Sequence, residues 1–534
     1  MNAKTLFVFL LFASTSIIVS YWMGFFFLST PLILAISLPA TFLLWKKFKP
    51  ETEQVPFEVL LAALLVASLC AFPLLIITPF YSGSNDALHT TTLRVLELAG
   101  KIPETYAPYS DISFTYQIGF HLFAKIFTNL FPFIQDYLVL WALGVLFAII
   151  ETILMYLVTK ELFKSESAGK WAAILFIGTK TVYINMYFGM FHRMLCSCII
   201  LLFLYFFLKK NKLAFLLVPA MLMVHIAWTV NCVILMLVFA TFNRQRLWDL
   251  TKTIPFATAT LPAFLMNVKT YIAHFSKIFG VSSAEKATAN QPINLLSFTI
   301  SYMLSMGWAI GALFGLAFVY SLLKKRIDRN KLFALSVFIA GSFMYYFAAL
   351  SSLTIENELP WLFTLGGIFF ISLTLSEIKL EKRHLNYLKI LVVVMLLLGF
   401  SASSYVTTRI WGTKISPQEA SFALKFKEFD SKLKTVIFLG IPSAKTAELS
   451  NKIPFNAGNG WFLPFDERLV VHDNAYYFEL KKIETQKKIM ELQCVSCIPD
   501  LNVDYAVIDT DKFSTLQGKQ LVLEQESIKL YRMR

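Results

Sequence analysis

The chain has 534 residues, of which 57% are hydrophobic and only 15% charged, which excludes a water-soluble globule and predicts a polytopic α-helical membrane protein. A formal charge of +14 would suit nucleic acid on a soluble domain. Here the basic residues fall in short clusters between apolar runs, so they report topology and no nucleic acid is expected.

The opening MNAKTLFVFLLFASTSIIVSYW has a Lys before an apolar run and no small-x-small cleavage site, so it reads as an uncleaved first span. Windows long enough, or nearly so, to cross about 30 Å of hydrocarbon fall near 5–22, 25–45, 57–79, 134–159, 171–188, 194–208, 213–226, 228–242, 254–268, 297–322, 332–350, 361–377 and 388–406. That is about 13 transmembrane helices. The stretch 213–242 reads as one tilted helix or two short ones, and 118–131 as an interfacial or re-entrant piece. The aromatic content of 16%, with 52 Phe, suits helices packed in lipid.

With the N-terminus cytoplasmic, the inside loops hold Lys46, Lys47 and Lys49, then Lys160, Lys164 and Lys170, then Lys209, Lys210 and Lys212. Arg244 and Arg246, the run from Lys324 to Lys331, and Lys379, Lys382 and Arg383 follow on the same side. This is the positive-inside pattern, and it holds best if 213–242 is split in two. The same assignment puts the polar loop 80–118, the loop near 269–296, the segment SSLTIENELP and everything beyond 406 outside the cytoplasm.

Residues 1–406 thus form a transmembrane helical domain of a multi-pass cell-membrane protein, and 407–534 a small extracytoplasmic α/β domain. In the latter, SPQEASFALKFKEFDSKL reads as an amphipathic helix and NAYYFELKKIETQKKIMELQ as a second. TVIFLG, RLVVHD, DYAVIDT, QLVLEQ and ESIKLYRM read as strands, which implies a partly parallel sheet.

The candidate chemistry lies on the outer side. Asp86, just beyond the third span and followed by His89, suits a general base at the membrane boundary, although on loop composition alone an ordinary carboxylate near the start of a helix is the plainer account. Five of the seven His, namely His89, His121, His192, His225 and His274, fall in outer loops or at outer span ends, with His472 in the external domain. Such imidazoles shuttle protons or bind a divalent metal, although no HxxxH spacing appears. Arg94 and Arg193 are the outer cations suited to a phosphate; snorkelling to the interface accounts equally well for Arg193. Glu356 and Glu358 in TIENELPW offer a second carboxylate or favour the first turn of a helix. Cys70, Cys196, Cys198 and Cys232 read as buried hydrophobes, and the pair Cys494 and Cys497 as a local disulfide or a lone CxxC with no assigned role.

The passage SNDALHTTTLRVLELAGKIPETYAPYSDISFTYQIGFHLFAKIF combines an acid, a nearby His, a helix ending in Gly, a Pro-containing segment and a Tyr-x-x-Gly-x-His entry into the membrane. Together with the plan of spans and the closing strands, it resembles the GT-C superfamily of integral-membrane glycosyltransferases. The resemblance implies transfer of a sugar from a polyprenyl-phosphate donor to a glycan, lipid or protein acceptor on the outer face, with membrane lipids as surroundings. Asp86 would map onto the family's catalytic acid, His89 would assist it, and inversion is implied. Arg94, Arg193, His121, His192, Glu356 and Glu358 would line the substrate site.

Three departures stand out. The acidic loop follows the third span, so 1–45 is an added helical pair; the sequence is Asn85-Asp86 with no paired acid; and the WWDYG signature of oligosaccharyltransferases is missing. The competing readings are a lipid or glycan transporter or flippase, and a non-catalytic protein displaying the C-terminal domain. A transporter would want charges within spans, and the acids read as clustered at outer ends.

Overall fold

The structure is a computed structural model that describes residues 3–24, 26–51, 53–76, 81–82, 86–103, 117–179, 185–187, 189–242, 307–350, 360–411, 413–414, 416–432, 434–439, 446, 449–450, 453–454, 504–511, 516 and 518–533. Its helices are α1 (Lys4–Gly24), α2 (Thr30–Phe48), α3 (Phe57–Ile76), α4 (Asp86–Ala99), α5 (Gly119–Leu130), α6 (Asp136–Phe163), α7 (Glu166–Phe176), α8 (Phe191–Leu208), α9 (Leu213–Val224), α10 (Ile226–Phe242), α11 (Trp308–Leu323), α12 (Arg329–Leu350), α13 (Pro360–Ser376), α14 (Lys382–Trp411) and α15 (Pro417–Phe429). At 1.5 Å per residue α6 is about 42 Å long, enough for the hydrocarbon and both headgroup layers. With α8 it forms the buried centre of the bundle, flanked by α3, α7 and α9. The outer helices turn apolar residues to lipid, as Phe42, Leu64, Leu316, Phe343 and Leu398 show.

Interior contacts follow from apolar packing and from small residues. A Cβ on Gly366 of α13 would lie 2.4 Å from the Phe338 amide nitrogen of α12, so the two backbones approach as closely as glycine permits. The hydroxyls of Thr15 and Thr41 join α1 to α2 at 2.8 Å. The expected split of 213–242 is present: the helix breaks at His225. At about 18 Å, α9 is too short to cross the hydrocarbon by itself. The window 171–188 also differs from one continuous span, since α7 ends at Phe176 and a turn follows.

The loops assigned inside do share one face. Glu53, between α2 and α3, accepts from Lys160 at the end of α6 at 2.7 Å and from Lys209 after α8 at 3.0 Å. Glu58 joins Lys170 at 3.1 Å and Lys389 at 2.8 Å. Nearby, Lys331 of α12 is fully buried against Glu377, 2.8 Å away, and the Arg326 carbonyl, 2.9 Å away. The Glu53 and Glu58 pairs fasten the ends of α3, α6, α7, α8 and α14 to one another, and Lys331 joins α12 to the end of α13.

Beyond the membrane, β1 (Tyr81–Ser82) pairs antiparallel with β2 (Thr413–Lys414), clipping the start of the polar loop to the end of α14. The remaining strands are β3 (Thr435–Leu439), β4 (Ile453–Pro454), β5 (Tyr505–Asp509), β6 (Gln520–Gln525) and β7 (Ile528–Arg532), in the order β4-β3-β5-β7-β6. β3 runs parallel to β4 and β5, while β7 is antiparallel to β5 and β6, so the sheet is partly parallel as expected. α15 is started by a capping box, with Ser416 Oγ accepting from the Glu419 amide and Glu419 accepting from the Ser416 amide. Its Phe422 and Phe426 cover Val436, Phe438, Val507 and Leu530 of the sheet. The expected strand RLVVHD and second helix lie outside the described residues.

Burial disfavours ionisation of Glu53, and hydrogen bonds from Lys160 and Lys209 outweigh it, holding the carboxyl below its ordinary 4.5. A lowered carboxyl contributes stability that is complete above 4.5 and disappears as pH falls through the folded value. Glu53→Gln is therefore expected to destabilise the detergent-solubilised protein by about 1–2 kcal/mol at pH 7. Thermal unfolding should show wild type and variant converging below pH 4.5.

Candidate functional site

The elements that meet at the face opposite the basic clusters are α4, the first turn of α5, the first turn of α8 and the break at His225. α4 packs on α5 and α6 and touches β4 of the external sheet, so residues 89–96 are all buried although the helix begins in a polar loop. Glu97 leaves that buried stretch and pairs with Lys125 of α5 at 2.8 Å. The first turn of α5 lies directly on the end of α9: a Cβ on Gly119 would meet the Met223 carbonyl oxygen at 2.5 Å. Only glycine fits there, and the contact carries His121, two residues on, towards α4.

Four imidazoles form one line. His89 Nδ1 is 2.7 Å from His121 Nε2, and His89 Nε2 is 3.1 Å from His192 Nδ1. His192 then stacks on His225, with ring centroids 4.8 Å apart and planes within 11°. Each hydrogen bond needs one N–H and one bare nitrogen, so a donor at one end sets the direction of the whole His192–His89–His121 chain. At the break, His225 Nδ1 accepts the Trp228 amide at 3.0 Å, which places the proton of the neutral ring on Nε2. Gln117 Oε1 accepts the Ile226 amide at 2.9 Å. Beside them Arg193, half-buried, holds its guanidinium 5.6 Å from the Trp228 ring.

Burial pushes His89 down to about 3, a hydrogen bond with the Gly189 main chain opposes this, and the charge on Arg193 adds to it. At neutral pH the central imidazole is uncharged, fit to pass a proton by exchanging donor and acceptor nitrogens. A shared metal ion does not fit. His89 presents opposite ring nitrogens to its two neighbours, so no single ion reaches all three rings. Among the described residues no group of three or more His, Cys, Asp or Glu side chains is placed to hold one.

Of the expected site residues, His89, His121 and His192 come together, with Arg193 near enough for its charge to act on His89. Arg94 is buried five residues further along α4. Asp86 is the first residue of α4, one turn before His89, and its side chain lies outside the described residues. Glu356, Glu358, His274, His472, Cys494 and Cys497 also lie outside them.

The expectation that acids cluster only at outer ends needs correcting. Glu151, in the middle of α6, is buried and accepts a hydrogen bond from Ser197 of α8. Its signal was a single acidic letter inside an apolar window, easily read through. The four expected buried cysteines are buried thiols.

No family model and no curated protein matches the sequence. Solved structures do. ArnT from Cupriavidus metallidurans, solved with undecaprenyl phosphate, aligns at a TM-score of 0.55 and 11% identity over 89% of this chain and 97% of its own. The arabinofuranosyltransferase AftD from mycobacteria aligns at 0.50 and 13%, over 89% of this chain but only 41% of AftD. The oligosaccharyltransferase of Archaeoglobus fulgidus, in complex with zinc and sulfate, gives 0.48 and 14%, over 85% of this chain and 68% of its own. The chain has the GT-C fold. Within that GT-C fold, the histidine line sits where the long polar loop returns to the bundle.

Because the unfolded chain takes up a proton near 6.5 that folded His89 refuses until about 3, stability falls as pH drops below 6.5 and levels off below about 3. His89→Gln is expected to remove up to roughly 1.4 kcal/mol per pH unit from the stability slope between pH 6.5 and 5, read by thermal unfolding. Gly119→Ala should cost about 1–3 kcal/mol by forcing α5 off α9, measured in the same way.

Proposed function

We propose that this protein is a membrane glycosyltransferase that moves a sugar from a polyprenyl-phosphate donor to a glycan, lipid or protein acceptor on the extracytoplasmic face. The observation that carries the reading is the position of Asp86, which opens the helix whose next turn supplies His89, the centre of the buried histidine line. Likeness in fold over nearly the whole length of ArnT, a protein solved with undecaprenyl phosphate, supports the same reading.

In this reading the Asp86 carboxylate takes the proton of the acceptor nucleophile. The nucleophile's electron pair forms the new bond to the anomeric carbon, and the bond to the phosphate oxygen breaks with its pair leaving on the phosphate. Attack opposite the leaving group inverts the anomeric centre. Arg193 or Arg94 supplies positive charge for the departing phosphate, a task suited to the planar guanidinium. The neutral histidine line gives the abstracted proton a route away from the carboxylate. Glu356 and Glu358 remain candidates for the acceptor side.

Glu151 in isolation favours a transport reading, since intramembrane acids often mark substrate paths. Its carboxyl, however, is engaged by Ser197 in the close-packed centre between α6 and α8. Transfer is the better-supported reading.

Asp86→Asn should lower transfer from a polyprenyl-phosphate sugar by about 10²-fold or more in purified, folded protein, because a positioned base contributes on that scale. Transfer at wild-type rate would remove Asp86 from the base role.

A further inference from the structure

At the basic face, the ends of α6, α8 and α10 and the start of α12 enclose a cavity of about 270 Å³. Its polar wall carries Lys164, Glu161 and Arg329, and its apolar wall Phe163, Phe239 and Phe333. A second, wholly apolar recess of about 20 Å³ adjoins it, sharing Phe239 and Phe333 and lined also by Leu204 and by Phe369 of α13. A cationic rim therefore borders an aromatic, apolar wall at the ends of membrane helices.

The charge at the mouth is positive. Glu161 is paired with Lys164 and also shares Lys209, 3.0 Å away, with Glu53. Arg329, the first residue of α12, donates through Nη2 to the Phe242 carbonyl, which fixes the guanidinium at the cavity edge. Lys324, Lys325 and Arg326 precede it. The acid of this turn, Asp328, accepts the Lys331 main-chain amide at 2.9 Å.

We propose that this cavity binds one phospholipid with an anionic phosphate headgroup, drawn from the leaflet at the basic face, with its headgroup at Arg329 and Lys164 and its glycerol backbone and upper acyl carbons against Phe163, Phe239 and Phe333. A phosphate alone would leave the aromatic wall in contact with water, and a zwitterionic lipid would bring a second cation against Arg329 and Lys164. The aromatic wall suits the glycerol backbone and upper acyl carbons, which need no hydrogen-bond partners. This site lies at the opposite face from the histidine line and does not depend on the transferase reading.

The test is native mass spectrometry of the purified full-length protein in detergent, titrated separately with phosphatidylglycerol and phosphatidylcholine of identical chains. Wild type is expected to retain one phosphatidylglycerol at about tenfold lower concentration than phosphatidylcholine. Arg329→Gln and Lys164→Gln should each weaken phosphatidylglycerol by about fivefold and leave phosphatidylcholine unchanged, the change set by one cation near a charged surface. Lys164 is largely exposed, so Lys164→Gln carries the test if Arg329→Gln fails to fold. Equal retention of the two lipids, or variants that hold phosphatidylglycerol as wild type does, would overturn the site. Displacement of the lipid by an equal concentration of soluble glycerol phosphate would overturn the lipid assignment.

Discussion

The break between α9 and α10 is the constraint around which the outer half of the bundle is arranged. A main-chain amide left unpartnered in a membrane interior costs several kcal/mol, so a helix is interrupted there only where other groups close the gap. Here Gln117 accepts the Ile226 amide and the His225 ring accepts the Trp228 amide. Gln117 is fixed because α5 starts two residues later, pressed through Gly119 onto the last turn of α9. The hydrogen bonds that repair the break thereby fix His225 and bring His121 to His89. An interrupted helix and a buried polar line are two consequences of one packing arrangement.

The two faces of the protein use polar groups differently. On the basic face, acids and lysines from separate helices pair at half-exposed positions, where each pair contributes modestly but the set ties five helix ends together. On the other face, the buried line is made of imidazoles, with His89 uncharged at neutral pH and shielded by Phe120 and Phe191, while the charge of Arg193 stands beside it. The first arrangement tolerates water; the second excludes it, which favours proton movement between fixed partners over free exchange with solvent. The external sheet bears on this second face through β4 and α4, and through the clip between β1 and β2.

Much of the plan was legible along the chain because hydrophobic length and charge sign are local properties. The spans that became α1, α3, α6, α8, α12 and α13, the basic clusters on one face, and the strands DYAVIDT and QLVLEQ all follow from composition within a window. Windows failed where the requirement was tertiary. α7 stops early within an apolar run, and Glu151 is tolerated mid-helix because Ser197 on another helix meets it. Histidines at outer span ends were visible as a tendency, but their order, His121–His89–His192–His225, joins residues up to 136 apart that no spacing rule connects.

The sequence by itself determined a multi-span membrane chain with its basic loops on one side, a polar loop and α/β domain on the other, and Asp86 beside His89 at that loop's helix. These are consequences of solvent preference, which each residue carries wherever it is placed. Only the tertiary structure decided that His89 touches two other imidazoles, that Gly119 permits it, and that opposite ring nitrogens of His89 are engaged, so that a shared metal does not fit. Those outcomes depend on distances between helices, and such distances are set by how side chains of separate elements pack and satisfy one another's hydrogen bonds.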